Sequence, residues 1–253
     1  MILTFNGIVG RLSNKFYQHG ALRAAKVQEL FATLSGRYDL INDVQSLGLH
    51  RLWKRTLVRM AAPKPGESAL DVCCGTGDIA LGLHRQGAQV TGLDFCPPML
   101  AIAQHRAARL SPSLRRPPPR FVQGDAMELP FEENSFDIVT VGYGLRNLAS
   151  WERGLQEMWR VSRQGGRLLV LDFGKPRNPI WRSIYSAYLQ FFVPILGKVL
   201  CRDAAALGYI HASMQEYPAQ SGIHHKLQAL GCRRIAVRNI AGGAMSIHYA
   251  LKS

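Results

Sequence analysis

The chain has 253 residues, 47% of them hydrophobic, enough for one sizeable α/β domain with an extension. Lys and Arg number 31 against 17 acids, a net charge of +14, which suits nucleic acid or an anionic membrane surface as partner; a merely soluble basic face is the plainer reading. Five cysteines (Cys73, Cys74, Cys96, Cys201, Cys232) show no zinc spacing, and an odd count makes a poor disulfide framework, so a reducing cytoplasm is the simplest compartment and no metal site is expected.

The basic excess is concentrated at the front, where residues 1–64 hold ten Lys or Arg and three acids. The first 28 residues carry no acid, faintly like a transit peptide, but no small-residue cleavage site follows an apolar core. Residues 26–60 read as two helices around a turn. Residues 1–62 are therefore expected to form a helical extension and lid over a core spanning 63–253. "SALDV" is a strand, "GDIALGLHRQG" a helix stopped at Gly87, "AQVTGLD" a second strand, and "PPMLAIAQHRAARL" a helix opened by prolines. The Pro-rich "SPSLRRPPPR" is a stiff connection to strand "RFVQGD". "FDIVTVG" gives a fourth strand, "WERGLQEMWRVS" a helix and "GGRLLVLDF" a fifth strand. Such alternation implies a parallel sheet covered on both faces. Residues 175–230 read as a helical insertion, and the tail as two strands around Gly242-Gly243, a closing hairpin. The 180–200 segment has only 15 uncharged residues between Arg182 and Lys198, interrupted by Pro194, and is expected to be too short to cross a membrane.

"LDVCCGTGDIA" places Gly75-Thr76-Gly77 between a strand and a helix. GxGxxA is a weak signal shared with nicotinamide enzymes. Charge separates the two readings. A dinucleotide sets its pyrophosphate on the helix N-terminus, yet here Asp71 and Asp78 flank the turn and no Lys or Arg lies within 71–84. These acids would repel phosphate and attract the ammonium and sulfonium of S-adenosylmethionine. Asp94 closes the second strand, 17 residues after Gly77, where ribose hydroxyls need an acceptor. Asp125 follows the third strand and can accept from an adenine amino group, while the Ala126 N–H can donate to a ring nitrogen. Four aspartates at successive strand ends point to one cationic ligand; the alternative is that Asp71 and Asp78 merely cap a helix.

With these pieces in place the chain resembles the class I S-adenosylmethionine methyltransferases, and more narrowly the quinone-biosynthesis C-methyltransferases acting on demethylmenaquinone and polyprenyl-benzoquinols. The resemblance runs from about Val27 to the C-terminus and rests on "YDLINDVQSLGLHRLWK", "CCGTGD", "GDAMELPFEENSFD", "GYGLRN" and "LDFGKP". Gln45 stands where an aliphatic residue is usual, and Cys73 replaces the first glycine of the generic loop. The resemblance implies a Rossmann-like, mostly parallel seven-stranded sheet. It implies cofactor contact from Gly75, Thr76, Asp94, Asp125, Ala126 and Gly142, and a catalytic role for Arg146 and Asn147. The expected substrate is an isoprenoid quinol, most simply demethylmenaquinol, with the ubiquinone-type ring as alternative. A homodimer and peripheral contact with the inner face of the plasma membrane are further expectations.

Aromatic C-methylation needs an electron-rich ring carbon in line with the methyl donor, best supplied by a phenolate in a dry pocket. Residues 142–147 lie where strand ends face the ligand crevice. Gly142 and Gly144 are expected to let the backbone approach the cofactor. Arg146 offers fixed donors and positive charge to the quinol oxygen, Asn147 an orienting amide, and water the proton acceptor; an ion pair with a neighbouring acid is the competing role for Arg146. Tyr38, Asn42, His50 and Tyr143 are candidate substrate contacts, with His50 as a second candidate base. Trp181, Tyr185, Tyr188 and Phe192 recur at helical spacing, either as core or as an apolar wall for a polyprenyl tail. No basic-aromatic RNA-binding module is present, which argues against the RNA methyltransferase that the charge invites. A non-catalytic cofactor-binding scaffold is the remaining alternative.

Overall fold

Strand positions in this chain alternate between two apolar faces, and both faces are covered. The computed structural model describes residues 22–253 apart from 115 and 202–204; Arg11, Lys15 and the targeting question lie outside the described residues. Its strands are β1 (Ser68–Val72), β2 (Gln89–Asp94), β3 (Arg120–Gln123), β4 (Phe136–Gly142), β5 (Ser162–Phe173), β6 (Arg233–Ile240) and β7 (Met245–Leu251). They form one sheet in the order β3-β2-β1-β4-β5-β7-β6. The first five run parallel, and β7 lies antiparallel between β5 and β6. This is the Rossmann-like α/β class with the expected closing hairpin.

The helices are α1 (Leu22–Leu34), α2 (Tyr38–Ser46), α3 (Leu49–Ala61), α4 (Asp78–Arg85), α5 (Pro97–Leu114), α6 (Trp151–Val161), α7 (Pro179–Ala187), α8 (Val193–Cys201), α9 (Ala205–Glu216) and α10 (Ala219–Ala229). Successive strand side chains point to opposite faces. Leu70, Val72, Val139, Val141, Leu168 and Val170 therefore bury against Leu155 and Met158 of α6, within the same cluster as the helical insertion. Ala69, Ile138, Leu169, Leu171 and Ile247 bury on the other side against Leu57 and Val58 of α3 and Ile79 and Leu83 of α4. Ser150 caps α6 by accepting the Arg153 N–H at 3.2 Å.

Three expectations are corrected. Residues 26–60 form three helices, not two, because a 3-10 turn at Ser35–Arg37 separates α1 from α2. Helix α5 runs through Ser111–Leu114, so the stiff connection starts only where the prolines do. Helix α7, a π turn at Tyr188–Phe192 and α8 form one continuous helix, Pro179–Cys201, whose 23 residues are long and apolar enough to cross a membrane by length and composition. Pro194 does not break it, since the wider π turn just before it relieves the clash and missing N–H that a proline brings.

Strand order reverses between β1 and β4, so their carboxyl ends open a crevice at the switch point. The loops after β1, β2, β3 and β4 meet there. Beneath them Asp71, mid-sheet and 1% exposed, accepts the Ala80 N–H at 3.0 Å and the Thr140 hydroxyl at 2.8 Å. Burial pushes its carboxyl up to about 7 against those two hydrogen bonds. A carboxyl whose folded value lies above its unfolded value of ~3.9 stabilises the fold at low pH and loses that contribution as pH rises through the folded value. Asp71→Asn should therefore gain on the wild type in thermal melts as pH rises from 5 to 8. A stability difference constant across that range would contradict the assignment.

Candidate active site

The loop after β1 turns tightly. Cys73, Gly75 and Gly77 all have positive φ (53°, 53° and 86°). Cys73 thus occupies a left-handed position that a glycine would hold without cost, a strain of order 1–3 kcal/mol of the kind found at ligand sites. The turn lets Gly75 donate its N–H to Asp94 Oδ2 at 2.8 Å, while Asp94 Oδ1 accepts the Cys96 N–H at 2.9 Å. Asp94 is buried, and burial raises its carboxyl above the usual range against these backbone donors. Each oxygen keeps lone-pair capacity for a ligand hydroxyl. Asp125, after β3, is exposed and accepts the Met127 N–H at 2.8 Å.

These residues line a cleft of about 840 Å³, counting its open mouth. Gly75, Asp94, Asp125, Ala126, Gly142 and Asn147 border it; no Lys, Arg or His does among the described residues. That donor set fits S-adenosylmethionine, with two carboxylates for hydroxyl and amine groups and nothing to hold a phosphate.

Two of the four aspartates are not part of it. Asp71 is the buried group described above, a helix-start and strand tie. Asp78 is paired with Lys54 at 2.8 Å and Arg106 at 2.6 Å, and these two cations hold its carboxyl well below the ordinary range despite burial. Its charge is spent within the protein. Thr76 is likewise turned away from the cleft: its hydroxyl donates to Asp39 Oδ1 at 2.9 Å. Gly142 and Gly144 border the cleft, and packing gives a second reason for their size. A Cβ at Gly142 would collide with Ile79, and one at Gly144 with Cys73.

A second, larger cavity of about 1720 Å³ adjoins the cleft, and Phe31, Tyr38 and Tyr143 border both. Its walls are α2, α3, the helical insertion and the ends of β5 and β7. The four aromatic residues of the stripe all line it, with Tyr188 donating its hydroxyl to the Gln45 carbonyl and Trp181 Nε1–H to the Ala241 carbonyl at 2.9 Å. Tyr38, Asn42 and His50 lie in the same wall. Apolar side chains rim the opening: Val44, Leu49, Ile184 and Phe192 are exposed, and Leu47 at the α2–α3 corner is 87% exposed.

Arg146 is found in this apolar wall and not in the cofactor cleft. It is 5% exposed, its Nε lies 3.6 Å from Asp172 Oδ1, and Asp172 is 1% exposed. The guanidinium also donates to Asn147 Oδ1 at 2.9 Å, Ser213 Oγ at 3.2 Å and the Tyr209 hydroxyl at 3.3 Å, and lies 4.7 Å over the Phe173 ring. Burial works against its charge, and Tyr209 and Asp172 outweigh burial, so it is held protonated more firmly than usual. The ion pair considered from sequence is thus present, and the site residue that sequence reasoning missed is its partner, Asp172 in "LDFGKP". Arg146 Nε and the Tyr143 hydroxyl are buried without a hydrogen-bond partner.

His50 has Nε2 at 2.9 Å from Asp43 Oδ1, and Arg51 grips both oxygens of Asp43 at 2.6 Å. A carboxylate only accepts, so Nε2 carries the proton. Burial lowers the imidazole's affinity for a second one, leaving buried Nδ1 as an unpartnered acceptor.

A crevice at the switch point bordered by two carboxylates and by no phosphate-binding charge fits an S-adenosylmethionine-dependent methyltransferase of class I. Solved structures share the fold: an S-adenosylmethionine-dependent methyltransferase of Thermotoga maritima superposes with a TM-score of 0.62 at 17% identity, over 89% of this chain and 99% of that one. The [4+2]-cyclase SpnF gives 0.60 at 18%, over 94% and 98%, so the fold alone does not name the reaction. The chain belongs to the ubiE/COQ5 methyltransferase family, whose profile matches residues 20–252. Relatives include a demethylmenaquinone methyltransferase of Desulfitobacterium hafniense, 40% identical over 90% of both chains. A ubiquinone/menaquinone biosynthesis C-methyltransferase of Azotobacter vinelandii is 38% identical over 91% of both.

Loss of a hydrogen-bond partner in a desolvated site costs roughly 1–3 kcal/mol. Asp94→Ala removes the carboxylate expected to accept from the ribose and orphans the Gly75 and Cys96 N–H groups, so S-adenosylmethionine should bind about tenfold or more weakly by calorimetry. Unchanged affinity would remove Asp94 from the site.

Proposed function

We propose that the protein methylates a ring carbon of a polyprenyl quinol, converting demethylmenaquinol to menaquinol. The observation that carries this reading is the pair of adjoining cavities: a polar cleft suited to the methyl donor, and a large apolar cavity meeting it at Tyr38 and Tyr143. A methyl donor alone would need only the first. An aromatic ring bearing a long hydrocarbon chain accounts for the second.

Bound in the cleft, S-adenosylmethionine supplies an electrophilic methyl group. The residues of the chain do the rest. Arg146, buried and permanently charged in an apolar wall, favours the phenolate form of a ring hydroxyl placed beside it, because a fixed charge acts strongly where water is excluded. The buried Tyr143 hydroxyl, without a hydrogen-bond partner, is the open donor of that wall, while Arg146 Nε faces Asp172 at 3.6 Å. Asn147 accepts from Arg146 and donates its amide to the Tyr143 carbonyl at 3.2 Å, so it orients both the guanidinium and the turn between the cavities. Neutral His50 presents the basic nitrogen of the lid. The aromatic wall at Trp181, Tyr185, Tyr188 and Phe192 holds the tail.

We further infer that the substrate is delivered from an anionic bilayer, because exposed apolar residues rim the cavity mouth on a strongly basic protein. A benzoquinol ring is the second reading, favoured by the double name of the Azotobacter relative.

Both parts are tested by one assay. Purified protein with a deuterated-methyl donor and vesicle-borne demethylmenaquinol should yield menaquinol with the label on ring carbon. Turnover should be faster from anionic than from neutral vesicles, with the difference shrinking as salt rises. Label on oxygen, or none, would overturn the reaction; equal rates from both vesicle types would overturn the bilayer proposal alone.

A further inference from the structure

Helix α2 carries Tyr38, which borders both cavities, yet it buries only one of its nine residues, Ile41. Its ends are a 3-10 turn and the left-handed pair Leu47 (φ 50°) and Gly48 (φ 75°). A segment with so little buried apolar area is held by its polar ties or not at all. The ties at its N-terminal end converge on one side chain that takes no part in the chemistry above, Arg106 of α5.

Arg106 Nη1 donates to Asp39 Oδ2 at 3.2 Å, to the Thr76 carbonyl at 3.0 Å and to Thr76 Oγ1 at 3.0 Å; Nη2 donates to Asp78 Oδ1 at 2.6 Å. Thr76 Oγ1 closes the triangle by donating to Asp39 Oδ1 at 2.9 Å. Lys54 of α3 holds the other oxygen of Asp78 at 2.8 Å. One guanidinium thus joins three pieces: the lid helix through Asp39, the cofactor loop through Thr76, and the start of α4 through Asp78. On each side the next residue in sequence is a cavity residue, Tyr38 beside Asp39 and Gly75 beside Thr76. The planar fork matters, since an ammonium cannot meet carboxylate, carbonyl and hydroxyl acceptors spread over three segments.

We propose that Arg106 is a positioning residue that couples occupancy of the cofactor cleft to the placement of α2 over the apolar cavity. A ligand that orders the Gly75–Gly77 loop fixes Thr76. Thr76 and Arg106 together fix Asp39, and α2 is set with Tyr38 at the junction. Coupling of this sort is reciprocal, so the occupied apolar cavity tightens the cofactor loop by the same factor. The inference rests on the cleft binding S-adenosylmethionine; only its kinetic arm rests on the quinol.

The test is hydrogen exchange on the full chain with and without S-adenosylhomocysteine, for wild type, Arg106→Ala, Arg106→Lys and Asp39→Asn. In the wild type the ligand should slow exchange in residues 73–78 and also in residues 38–46. In Arg106→Ala the loop should still be protected while the slowing of 38–46 falls about fivefold or more, the lower end of typical coupling factors. Arg106→Lys should recover only part of it. Asp39→Asn removes the charge and one of the two acceptor oxygens on the lid side and leaves the Arg106–Asp78 pair intact, so it reports even if Arg106→Ala is misfolded. Ligand-induced slowing of 38–46 that is absent in the wild type, or undiminished in both Arg106→Ala and Asp39→Asn, overturns the proposal. In turnover, both variants should raise KM for the quinol about fivefold and leave kcat within about twofold, as loss of positioning before the chemical step requires. Intact exchange coupling with no quinol turnover in the wild type would count against the substrate and leave the Arg106 tie standing.

Discussion

The buried pair of Arg146 and Asp172 is the constraint around which the site is organised. Two charges at 5% and 1% exposure, 3.6 Å apart, are costly to desolvate, and removing either partner of such a pair typically costs about 3–5 kcal/mol. The fold meets that cost from several elements. Asp172, next to last in β5, accepts the Arg146 N–H at 3.3 Å as well as its own neighbour's, Phe173, at 2.8 Å. Helix α9 brings Ser213 and Tyr209, and α1 brings Arg23, whose Nη2 donates to the Arg146 carbonyl at 2.6 Å. The end of β5, the helical insertion and α1 are therefore tied to one residue, Arg146, through its guanidinium and its backbone. An apolar pair of the same volume would serve stability as well or better; a fixed positive charge in a dry wall serves a reaction that passes through a phenolate.

The two cavities divide the electrostatic work. Acids face the cleft, where a cationic donor belongs, and a cation faces the apolar cavity, where an anionic ring belongs. Tyr38 and Tyr143 mark the boundary across which the methyl group would move. Tyr143 holds its place in a left-handed conformation, φ 63°, at the end of β4. Most basic charge near the cleft is consumed internally, as Lys54 and Arg106 are by Asp78, so the site stays free of groups that would attract phosphate.

The strands, their alternation with helices and the closing hairpin were legible because period-two apolar runs and Gly or Pro punctuation are local signals. The placement of Asp94 and Asp125 at the cleft and of the aromatic stripe on one cavity wall was legible for the same reason: each follows from its position in an element. What escaped was partnership across the chain. Asp78 looked like a ligand acid because Lys54 and Arg106 lie 24 and 28 residues away in sequence. Thr76 looked like a cofactor contact because Asp39, which takes its hydroxyl, belongs to the lid. The glycines of "GYGLRN" suggested ligand approach, and sequence did not show that Ile79 and Cys73 also occupy the space their side chains would need. Pro194 suggested a break because a π turn leaves no mark in composition.

The central claim is that Arg146 acts on the transition state and not only on the fold, and pairing Arg146→Ala with Asp172→Asn separates the two. Arg146→Ala alone strands a buried carboxylate and should lower both stability and turnover. The double variant removes that charge and should recover most of the lost stability. Its kcat should remain about 10²–10³ below wild type, the scale of losing one preorganised donor. Cofactor affinity should stay within roughly threefold, as expected of separate sites. Recovery of kcat in step with stability would contradict the account and leave Arg146 a structural ion-pair partner.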